Sequence, residues 1–375
     1  MIYISIFISI IYFILIIAFI LGFDKIEGIQ NKNTAPKNTF SIVIPFRNEA
    51  HNLHSLLNSL SSIKYPVNLF EVLLINDESN DNFKQNIEDF VHQNPDMNFS
   101  LIHSIKSTKS PKKDAITLAI KQSKFEWIVT TDADCNVPTL WLQLFNQHIE
   151  EKQPLLISAP VKFKAQNSFL YHFQNLNFTS LIGSTIGGFG LKKPFMCNGA
   201  NLCYKKETFF EVNGFEENSM IASGDDVFLL EKINSAFPNK TCYLKSKEAI
   251  VLTNSENNLN SFFNQQIRWA SKSTAYKSKF SKFIGLTVFT MNFVLIIELI
   301  AAILNPLLWK YLFVVFILKL VSDFILISKT ATFLNNQHSL KHYIVTSLLY
   351  PFFIVFTAFF SLLKNYEWKG RNFRK

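Results

Sequence analysis

Two aspartates separated by one alanine form the most suggestive chemical feature of this chain. Asp132 and Asp134 lie in the stretch TTDADCNV, directly after the apolar run WIVT, where a strand is expected to end. Carboxylates at such a place can close a turn. They can also bind a hard divalent cation that takes further ligands from phosphate oxygens. The pair on its own leaves both interpretations open.

Other charged residues border apolar runs in the same way. Asp77 ends the run FEVLLIND, the adjacent acids Asp225 and Asp226 precede VFLL, and Lys112 begins a segment with helical character. Acids and bases of this kind serve proton transfer and phosphate binding only if the fold brings them together.

An alternation of strands and helices is expected to position these residues. The predicted strands are 39–46, 70–77, 99–105 and 125–131, and the predicted helices are 50–60, 81–93 and 112–122. Such alternation is typical of a mostly parallel sheet, which binds ligands beyond the carboxyl ends of its strands. Asp77 and Asp132 both stand at such ends, so we expect them at one crevice. The sequence contains neither a GxxxxGKS/T nor a GxGxxG loop.

Several motifs occur in a fixed order along the chain: SIVIPFRNEA, VLLINDESND, TTDADCNVP, GDDVFLL and QQIRW. Together they resemble the membrane-anchored family 2 glycosyltransferases with the GT-A fold, over about residues 38–270. The resemblance implies an α/β fold with a mixed, mostly parallel sheet, flanking helices and transmembrane helices at both ends. It also implies transfer of a sugar from a nucleotide-sugar to a hydroxyl group with inversion, dependent on Mg²⁺ or Mn²⁺.

The resemblance assigns the donor side of the site. A cation held by carboxylates would neutralise the charge that develops on the departing diphosphate. Asp134 resembles the direct metal ligand, and Asp132 resembles the first acid of the motif, near the ribose and the metal. Asp77 matches the acid that reads the nucleobase. Pro45 and Glu49 match the nucleotide side of the first motif, although Glu49 could simply be an acid favoured at a helix N-terminus.

Two features of the donor side stay open at this level. Glu78 stands where the family has glycine, so UDP is the favoured nucleotide while GDP remains an alternative. PKKDAI matches the family's GKxxAL-like motif without its glycine, and Lys112 is the predicted phosphate ligand. Lys113 is an equal candidate, and a solvated basic turn is the structural alternative.

The remaining motifs imply the acceptor side and the chemistry. Asp226 resembles the general base, which takes the proton of the acceptor hydroxyl, and Asp225 would orient it or raise its pKa. The structural alternative is that both acids cap a helix. In QQIRW, Gln265 and Arg268 match diphosphate ligands, and Trp269 offers an apolar face to the acceptor. The segment CNGANLC resembles the acceptor side, with Gly199 and Asn201 near the acceptor and Asp225 beside them.

The charge distribution indicates a membrane surface and no nucleic-acid partner. The chain carries a net charge of +9, and its basic residues cluster beside apolar blocks. No recognisable nucleic-acid-binding module accompanies them. The four cysteines lack CxxC spacing, which is typical of reduced thiols in a cytosolic compartment.

Apolar segments at both ends predict membrane helices. Residues 2–22 carry no charge, and at ~1.5 Å per residue they would span ~30 Å, the thickness of a bilayer core. An uncharged leading flank followed by lysines favours an uncleaved anchor with the next domain in the cytoplasm. The predicted organisation is an anchor (1–23), a linker (24–38), the GT-A domain (39–270), an interfacial amphipathic segment (271–282), membrane segments (283–304, 307–327 and 343–363) and a basic tail (364–375).

The C-terminal segments contain charges and a topological conflict. Lys319 and Asp323 share a helix face, and Glu298 could join them across a hairpin, either as a polar seam for a headgroup or glycan or as a packing pair. Four crossings would send the basic tail outside, against the positive-inside rule. Pro351 lies in the last segment, which could instead be re-entrant or interfacial.

We therefore expect a multi-pass enzyme of the cytoplasmic membrane that acts on a lipid-linked or membrane-associated glycan. A processive polysaccharide synthase that extrudes its product is one alternative, favoured by the complete QQIRW. A non-catalytic membrane scaffold on the same fold is another. A transporter is disfavoured because charged residues are few in the apolar segments.

Overall fold

The structure is a computed structural model that describes residues 2–363 and 366–373. Positions 1, 364, 365, 374 and 375, which include part of the predicted basic tail, lie outside the described residues. The chain divides into two compact units. The sheet unit comprises Glu27–Lys164 and Met196–Asn254, and the helical unit comprises Met1–Ile26, Ala165–Phe195 and Ser255–Lys375.

Strands and helices alternate through the sheet unit. Its strands are β1 (Phe40–Phe46), β2 (Phe70–Asn76), β3 (Phe99–His103), β4 (Trp127–Thr130), β5 (Leu156–Ser158), β6 (Val161–Phe163), β7 (Leu202–Lys205), β8 (Thr241–Tyr243) and β9 (Val251–Thr253). The α-helices among the described residues are α1 (Ile2–Lys25), α2 (Ala50–Ser61), α3 (Phe83–Gln93), α4 (Pro111–Gln122), α5 (Trp141–Lys152), α6 (Phe169–Gly190), α7 (Lys206–Glu211), α8 (Asp225–Ala236), α9 (Leu259–Ser271), α10 (Lys279–Leu304), α11 (Trp309–Leu334) and α12 (Tyr343–Leu363).

The main sheet has the strand order β3-β2-β1-β4-β7-β5-β8. Strands β1 to β4 run parallel, and β7 is antiparallel to both β4 and β5. Every residue of β1 and β2 is buried, because helices cover both faces of a parallel sheet. The prediction of a mixed, mostly parallel sheet with flanking helices is confirmed, and the predicted first strands and helices agree with the observed ones to within two residues.

A small second sheet supports the loop that follows β4. Strand β6 pairs in parallel with β9. Asn136, just beyond the two aspartates, exchanges backbone hydrogen bonds of 2.8 and 3.0 Å with Leu252 of β9. Its side-chain amide also donates to the Ser55 carbonyl in α2 at 2.9 Å. The loop therefore has a defined position between β9 and α2.

In the helical unit, glycines allow α1 and α6 to touch through their backbones. A Cβ atom at Gly187 would lie 2.5 Å from the Phe19 carbonyl oxygen, and one at Gly22 would lie 2.2 Å from the Gly187 carbonyl oxygen. No side chain fits at such distances, so only glycine permits this approach. The sequence reading did not anticipate α6 as a partner of the N-terminal helix, because its polar residues obscure its apolar character.

Four helices of the described chain are long and apolar enough to cross a membrane. They span Ile2–Lys25, Lys279–Leu304, Pro306–Leu334 and Gln337–Leu363. Asn305 joins α10 to α11 in a tight connection, with its side chain accepting from the Leu307 backbone N–H at 3.1 Å. The predicted segment 307–327 ends too early, because α11 continues to Leu334.

Lys319 and Asp323 form a closed pair in the helical unit. The Lys319 ammonium lies 2.5 Å from Asp323, whose other oxygen accepts the Tyr12 hydroxyl at 2.7 Å. Lys319 is 4% exposed and lies over the rings of Tyr12 and Tyr350. Glu298, which could join them, is hydrogen-bonded to Ser5, and the ion pairs of the described residues include none from Glu298 to Lys319. This arrangement favours the packing pair over a binding seam.

Candidate active site

The carboxyl ends of β1, β2 and β4 meet at one edge of the sheet. Asp77 follows β2 and Asp132 follows β4, with β1 between them. Two strand spacings separate the two positions by about 10 Å. Pro45 lies buried near the end of β1, opposite Ile75, and Glu49 is 6% exposed in the following loop. The sheet thus aligns the residues predicted for the nucleotide side along one rim.

Arg47 connects the loops that follow β1 and β2. Its guanidinium donates to the carbonyl oxygens of Asp77 at 2.8 Å and Glu78 at 2.6 Å. Glu78 adopts a φ of 54°, the left-handed region that glycine occupies without strain. This backbone conformation is the one that glycine adopts most readily, which agrees with the glycine that the family resemblance implies at this position. Asp77 itself is 4% exposed, at the base of this double loop.

The two aspartates of the opening motif lie on a hydrogen-bonded turn. The Cys135 backbone N–H donates to the Asp132 carbonyl at 3.1 Å. Asp134 accepts the Thr253 hydroxyl at 3.2 Å, and the Lys164 ammonium donates to its backbone carbonyl at 3.5 Å. Both acids remain partly exposed. The turn therefore presents two carboxylates to an incoming ligand, and the structural interpretation is compatible with the chemical one.

Lys112 joins the aspartate turn to the start of α8. Its ammonium lies 2.8 Å from Asp132 and 3.2 Å from Asp225. Burial lowers the pKa of Lys112, but the carboxylates of Asp132, Asp225 and Asp226 outweigh burial and raise it above its ordinary value. Lys112 therefore stays charged at physiological pH, close to the carboxylates of Asp132, Asp225 and Asp226.

Asp225 and Asp226 form the first turn of α8. Gly224 precedes them with a φ of 83°, which only glycine adopts readily, and this residue sets the direction in which the helix starts. Asp226 accepts the Gly199 backbone N–H at 3.2 Å, and Thr130 at the end of β4 donates to the Gly199 carbonyl at 2.7 Å. A Cβ at Gly199 would lie 3.2 Å from Asp225. The absence of a side chain at Gly199 therefore leaves room for the acid pair.

Asn201 is a core residue. It is 0% exposed, accepts the Trp141 indole N–H at 2.9 Å, and donates to the carbonyls of Pro160 and Ala249, each at 2.8 Å. Its side chain supports the Gly199 loop from beneath. Its predicted contact with the acceptor stays a prediction.

The structure separates the roles of two adjacent lysines. Lys112 reaches the acids, whereas Lys113 is 2% exposed and donates to the carbonyls of Asn218 at 2.9 Å and Ile221 at 2.8 Å. The ambiguity between these lysines thus resolves to Lys112 as the residue at the acid cluster. Sequence reasoning also missed Arg47, Thr253 and Lys164, and only Arg47 lies within a motif that could have drawn attention to it.

The QQIRW residues lie on α9 in the helical unit. Gln265 donates to the Glu256 carboxylate at 2.9 Å, and the Trp269 ring lies 6.2 Å from the ring of Phe178 in α6. Gln265, Arg268 and Trp269 are all partly exposed. Their roles in binding diphosphate and acceptor stay predictions.

The aspartate turn fits a hard divalent cation. Among the described residues, no group of three or more His, Cys, Asp or Glu side chains is arranged to hold a metal ion. One or two carboxylates with substrate phosphates completing the ligand set is the usual arrangement for such a cation in phosphate-transfer sites. Asp134 and Asp132 provide that partial set.

The fold and the acid cluster define a GT-A glycosyltransferase. The family described as "Glycosyl transferase family group 2" matches residues 127–362, and "Glycosyl transferase family 2" matches residues 41–209. The chain belongs to the family 2 glycosyltransferases and is an enzyme of that class.

Named relatives span a range of products. The chain is 24% identical over 243 residues to the poly-β-1,6-N-acetyl-D-glucosamine synthase of Staphylococcus epidermidis, which covers 61% of this chain and 53% of the synthase. It is 24% identical over 185 residues to glycosyltransferase AglE of Haloferax volcanii, 49% of this chain and 58% of that protein. The chain thus matches little more than half the length of these curated relatives.

One solved structure is similar along almost the entire chain. The mannosyltransferase PcManGT from Pyrobaculum calidifontis, in complex with GDP-Man and Mn²⁺, superposes with a TM-score of 0.57. The match covers 96% of both chains at 14% identity, so it supports the fold.

Proposed function

We propose that this protein transfers a sugar from a nucleoside-diphosphate sugar to a hydroxyl group of a lipid-linked or membrane-associated glycan, with inversion at the anomeric carbon. The observation that carries the proposal is the Lys112 bridge. This bridge brings Asp132 of the donor-side turn and Asp225 of the base-side helix to one ammonium group, at 2.8 and 3.2 Å. Donor phosphates and an acceptor hydroxyl would thus meet at one place.

The donor lies along the rim of the sheet in this proposal. Asp77 receives the nucleobase N–H, Glu49 and Pro45 line the nucleotide side, and the diphosphate reaches the aspartate turn. The spacing of about 10 Å between the β2 and β4 ends suits a nucleoside diphosphate. UDP is the favoured nucleotide, and GDP is the other donor to test, since the related mannosyltransferase was solved with GDP-Man and Mn²⁺.

Asp134 and Asp132 would hold Mg²⁺ or Mn²⁺ at the turn. When bound, the cation neutralises charge on the leaving diphosphate. Thr253 keeps one Asp134 oxygen oriented through a hydrogen bond of 3.2 Å. Lys112 exchanges part of its contact with the acids for a contact with phosphate, since it is charged and lies beside them.

Asp226 would act as the general base. Its carboxylate takes the proton of the acceptor hydroxyl while that oxygen forms a bond to the anomeric carbon. The bond from this carbon to the diphosphate oxygen breaks in the same displacement, and the nucleoside diphosphate departs. Asp225 and the Gly199 N–H orient the base. A single base without a carboxylate nucleophile suits inversion.

The membrane is the second partner of the proposal, and α12 would lie along the interface. Phe353 near the middle of α12 stacks on Phe262 of α9 with centroids 5.0 Å apart, and Phe356 packs on Phe263 at 5.5 Å. The amphipathic α9 carries polar residues such as Gln265, which disfavours a position at the bilayer centre. With α1, α10 and α11 as crossings, the tail lies with the sheet unit in the cytoplasm, as the positive-inside rule requires.

Cysteine labelling tests this topology. Lys369→Cys should resist a membrane-impermeant maleimide in intact cells and react after permeabilisation. Leu307→Cys, in the exposed connection between α10 and α11, is the matched control and should react in intact cells. Labelling of both positions in intact cells would contradict the interfacial placement of α12.

The catalytic proposal is tested with the full chain in detergent. A panel of UDP- and GDP-sugars is offered with Mg²⁺ or Mn²⁺ and membrane-lipid extract as the source of acceptor. We expect release of nucleoside diphosphate with one donor class, removed by EDTA and by Asp226→Asn. Absence of turnover with every donor, or full turnover by Asp226→Asn, would contradict the proposal.

A processive synthase is the second candidate function. The complete QQIRW motif, present on α9, and the synthase among the relatives favour it. The length of the product separates the two candidates: a single added sugar supports one transfer per acceptor, and a ladder of long chains supports polymerisation.

A further inference from the structure

Lys113 occupies a position that the proposed chemistry does not use. It lies in the first turn of α4, directly after Lys112, and is 2% exposed. Burying an ammonium group is strongly unfavourable unless hydrogen bonds and nearby groups compensate its charge. The groups that compensate its buried charge must therefore lie close to Lys113.

The ammonium of Lys113 holds the segment that leads into α8. It donates to the carbonyls of Asn218 at 2.9 Å and Ile221 at 2.8 Å. Two hydrogen bonds from a charged donor are each stronger than neutral ones. The hydroxyl of Ser110, the N-cap of α4, adds a donation to the Ala222 carbonyl at 3.3 Å. The first turn of α4 thus contacts three carbonyls along the segment 218–222.

Two aromatic rings enclose the same ammonium. The Lys113 nitrogen lies 5.0 Å from the ring centroid of Phe228 and 5.9 Å from that of Phe215. Phe228 belongs to α8, two residues after Asp226, and Phe215 precedes the segment. Cation–π contacts of this kind favour the charged form of lysine over a neutral substitute. Lys113 therefore contacts the segment 218–222, Phe215 ahead of that segment and Phe228 in α8 after it.

We infer that Lys113 is a positioning residue for the general base. By tying residues 218–222 and Phe228 to α4, it fixes how Asp225 and Asp226 enter α8, so that Asp226 faces the Gly199 N–H and Asp225 faces Lys112. One turn of α4 then sets both sides of the reaction: Lys112 serves the donor phosphates, and Lys113 sets the base. This inference rests on the proposed function.

The kinetic test uses the full chain in detergent and separates kcat from KM. Lys113→Met removes the charge and the donors but keeps the aliphatic stem. We expect kcat to fall about 10- to 100-fold, because a displaced base loses proton-transfer geometry, while the donor KM stays within about twofold. Lys113→Arg, which retains charge and donors, should recover part of the rate. Lys121→Met, on the exposed last turn of α4, is the control and should leave both constants unchanged.

A milder variant covers the case in which Lys113→Met does not fold. Ser110→Ala removes one contact with the segment and should lower kcat about two- to fivefold at unchanged donor KM. An unchanged kcat in Ser110→Ala together with a misfolded Lys113→Met would overturn the inference, as would equal kcat in Lys113→Met and wild type.

Hydrogen–deuterium exchange distinguishes a failure of this inference from a failure of the proposed function. Backbone amides of residues 216–224 should exchange faster in Lys113→Met than in wild type, whereas amides of 131–137 should be unaffected. This readout needs no substrate. Inactive wild type with the expected exchange would refute the glycosyltransferase proposal alone, and an active wild type with unchanged exchange would refute the tether.

Discussion

Lysine and aspartate meet in both units, with different outcomes. In the sheet unit, Lys112 contacts Asp132 and Asp225 and also experiences the charge of Asp226, and the Asp132 side chain is 36% exposed. In the helical unit, Lys319 contacts Asp323, and Tyr12 and Tyr350 enclose the pair. The first cluster gathers several carboxylates around one lysine and has access to solvent. The second is balanced and closed.

The difference teaches what makes a charged cluster a site. A buried ion pair that neutralises itself stabilises packing, whereas several carboxylates with access to solvent can take part in holding a cation and its phosphates. Both clusters look alike as residue types. They differ in the number of carboxylates around the lysine and in their access to solvent.

The largest expected effect is seen when one aspartate of each cluster is replaced by asparagine and the two variants are compared. Asp226→Asn should lower transfer about 1,000-fold, because general-base catalysis is lost, while donor binding persists. Asp323→Asn leaves Lys319 buried without its anion and lowers stability, but the folded fraction should turn over within roughly threefold of wild type, because this pair takes no part in the chemistry. Nucleotide release under saturating donor measures both. Equal loss in the two variants would remove the distinction between the clusters.

Replacing Lys112 tests the solvent-accessible cluster directly. Lys112→Met should lower kcat/KM about 10- to 100-fold, mainly through a higher donor KM, because a phosphate ligand is lost and the acids repel the donor. This pattern is the opposite of that expected for Lys113→Met. The rates of both variants are measured as a function of donor concentration, which gives kcat and KM separately. If both variants change kcat and KM in the same way, Lys112 and Lys113 do not have the different roles assigned to them.

Replacing Lys319 tests the balanced pair. Lys319→Met leaves Asp323 buried without its cation and should cost about 3 kcal/mol of folding free energy. The double variant Lys319→Met, Asp323→Leu removes both charges and should recover most of that loss. Unfolding in detergent micelles measures the three proteins. If the single and double variants are equally destabilised, Lys319 and Asp323 do not stabilise the fold by neutralising each other.

Some parts of the fold and of the candidate site could be predicted from the sequence, and others could not. The alternation of apolar runs located β1, β2 and β4, and hence the rim that carries Asp77 and Asp132, because hydrophobic periodicity directly encodes burial. The sequence could not show that Lys113 turns inward while Lys112 turns to the acids, since adjacent residues of a helix point about 100° apart and the pattern does not reveal which direction holds the site. Nor could it place Asn201 in the core, where three internal partners saturate it.

The smallest expected effect concerns a buried titratable group that is kept neutral by burial in the folded protein. His148 lies in α5 of the sheet unit, with its ring nitrogen 3.1 Å from the Cys242 sulfur. Burial lowers the pKa of His148 from 6.5 to about 4. Between these two pH values His148 is protonated in the unfolded chain but neutral in the folded protein. The free energy of unfolding should therefore fall as the pH drops from about 6.5 towards 4.

Thermal unfolding at pH 7 and pH 5 measures this effect. We expect a loss of up to about 2 kcal/mol for wild type over that range attributable to His148. His148→Gln should show a shallower pH dependence, because the neutral side chain cannot be protonated. Identical slopes for the two proteins would show that His148 is not the responsible group.

The most direct test of the central claim is calorimetric titration of the full chain with UDP and with GDP, with and without Mn²⁺. If Asp132 and Asp134 hold a cation-bound diphosphate, Mn²⁺ should strengthen binding of one nucleotide at least about tenfold, or about 1.4 kcal/mol, in wild type. Asp134→Ala should abolish that gain while Asp323→Asn retains it. Binding of equal strength with and without Mn²⁺ in wild type, unchanged by Asp134→Ala, would contradict the account.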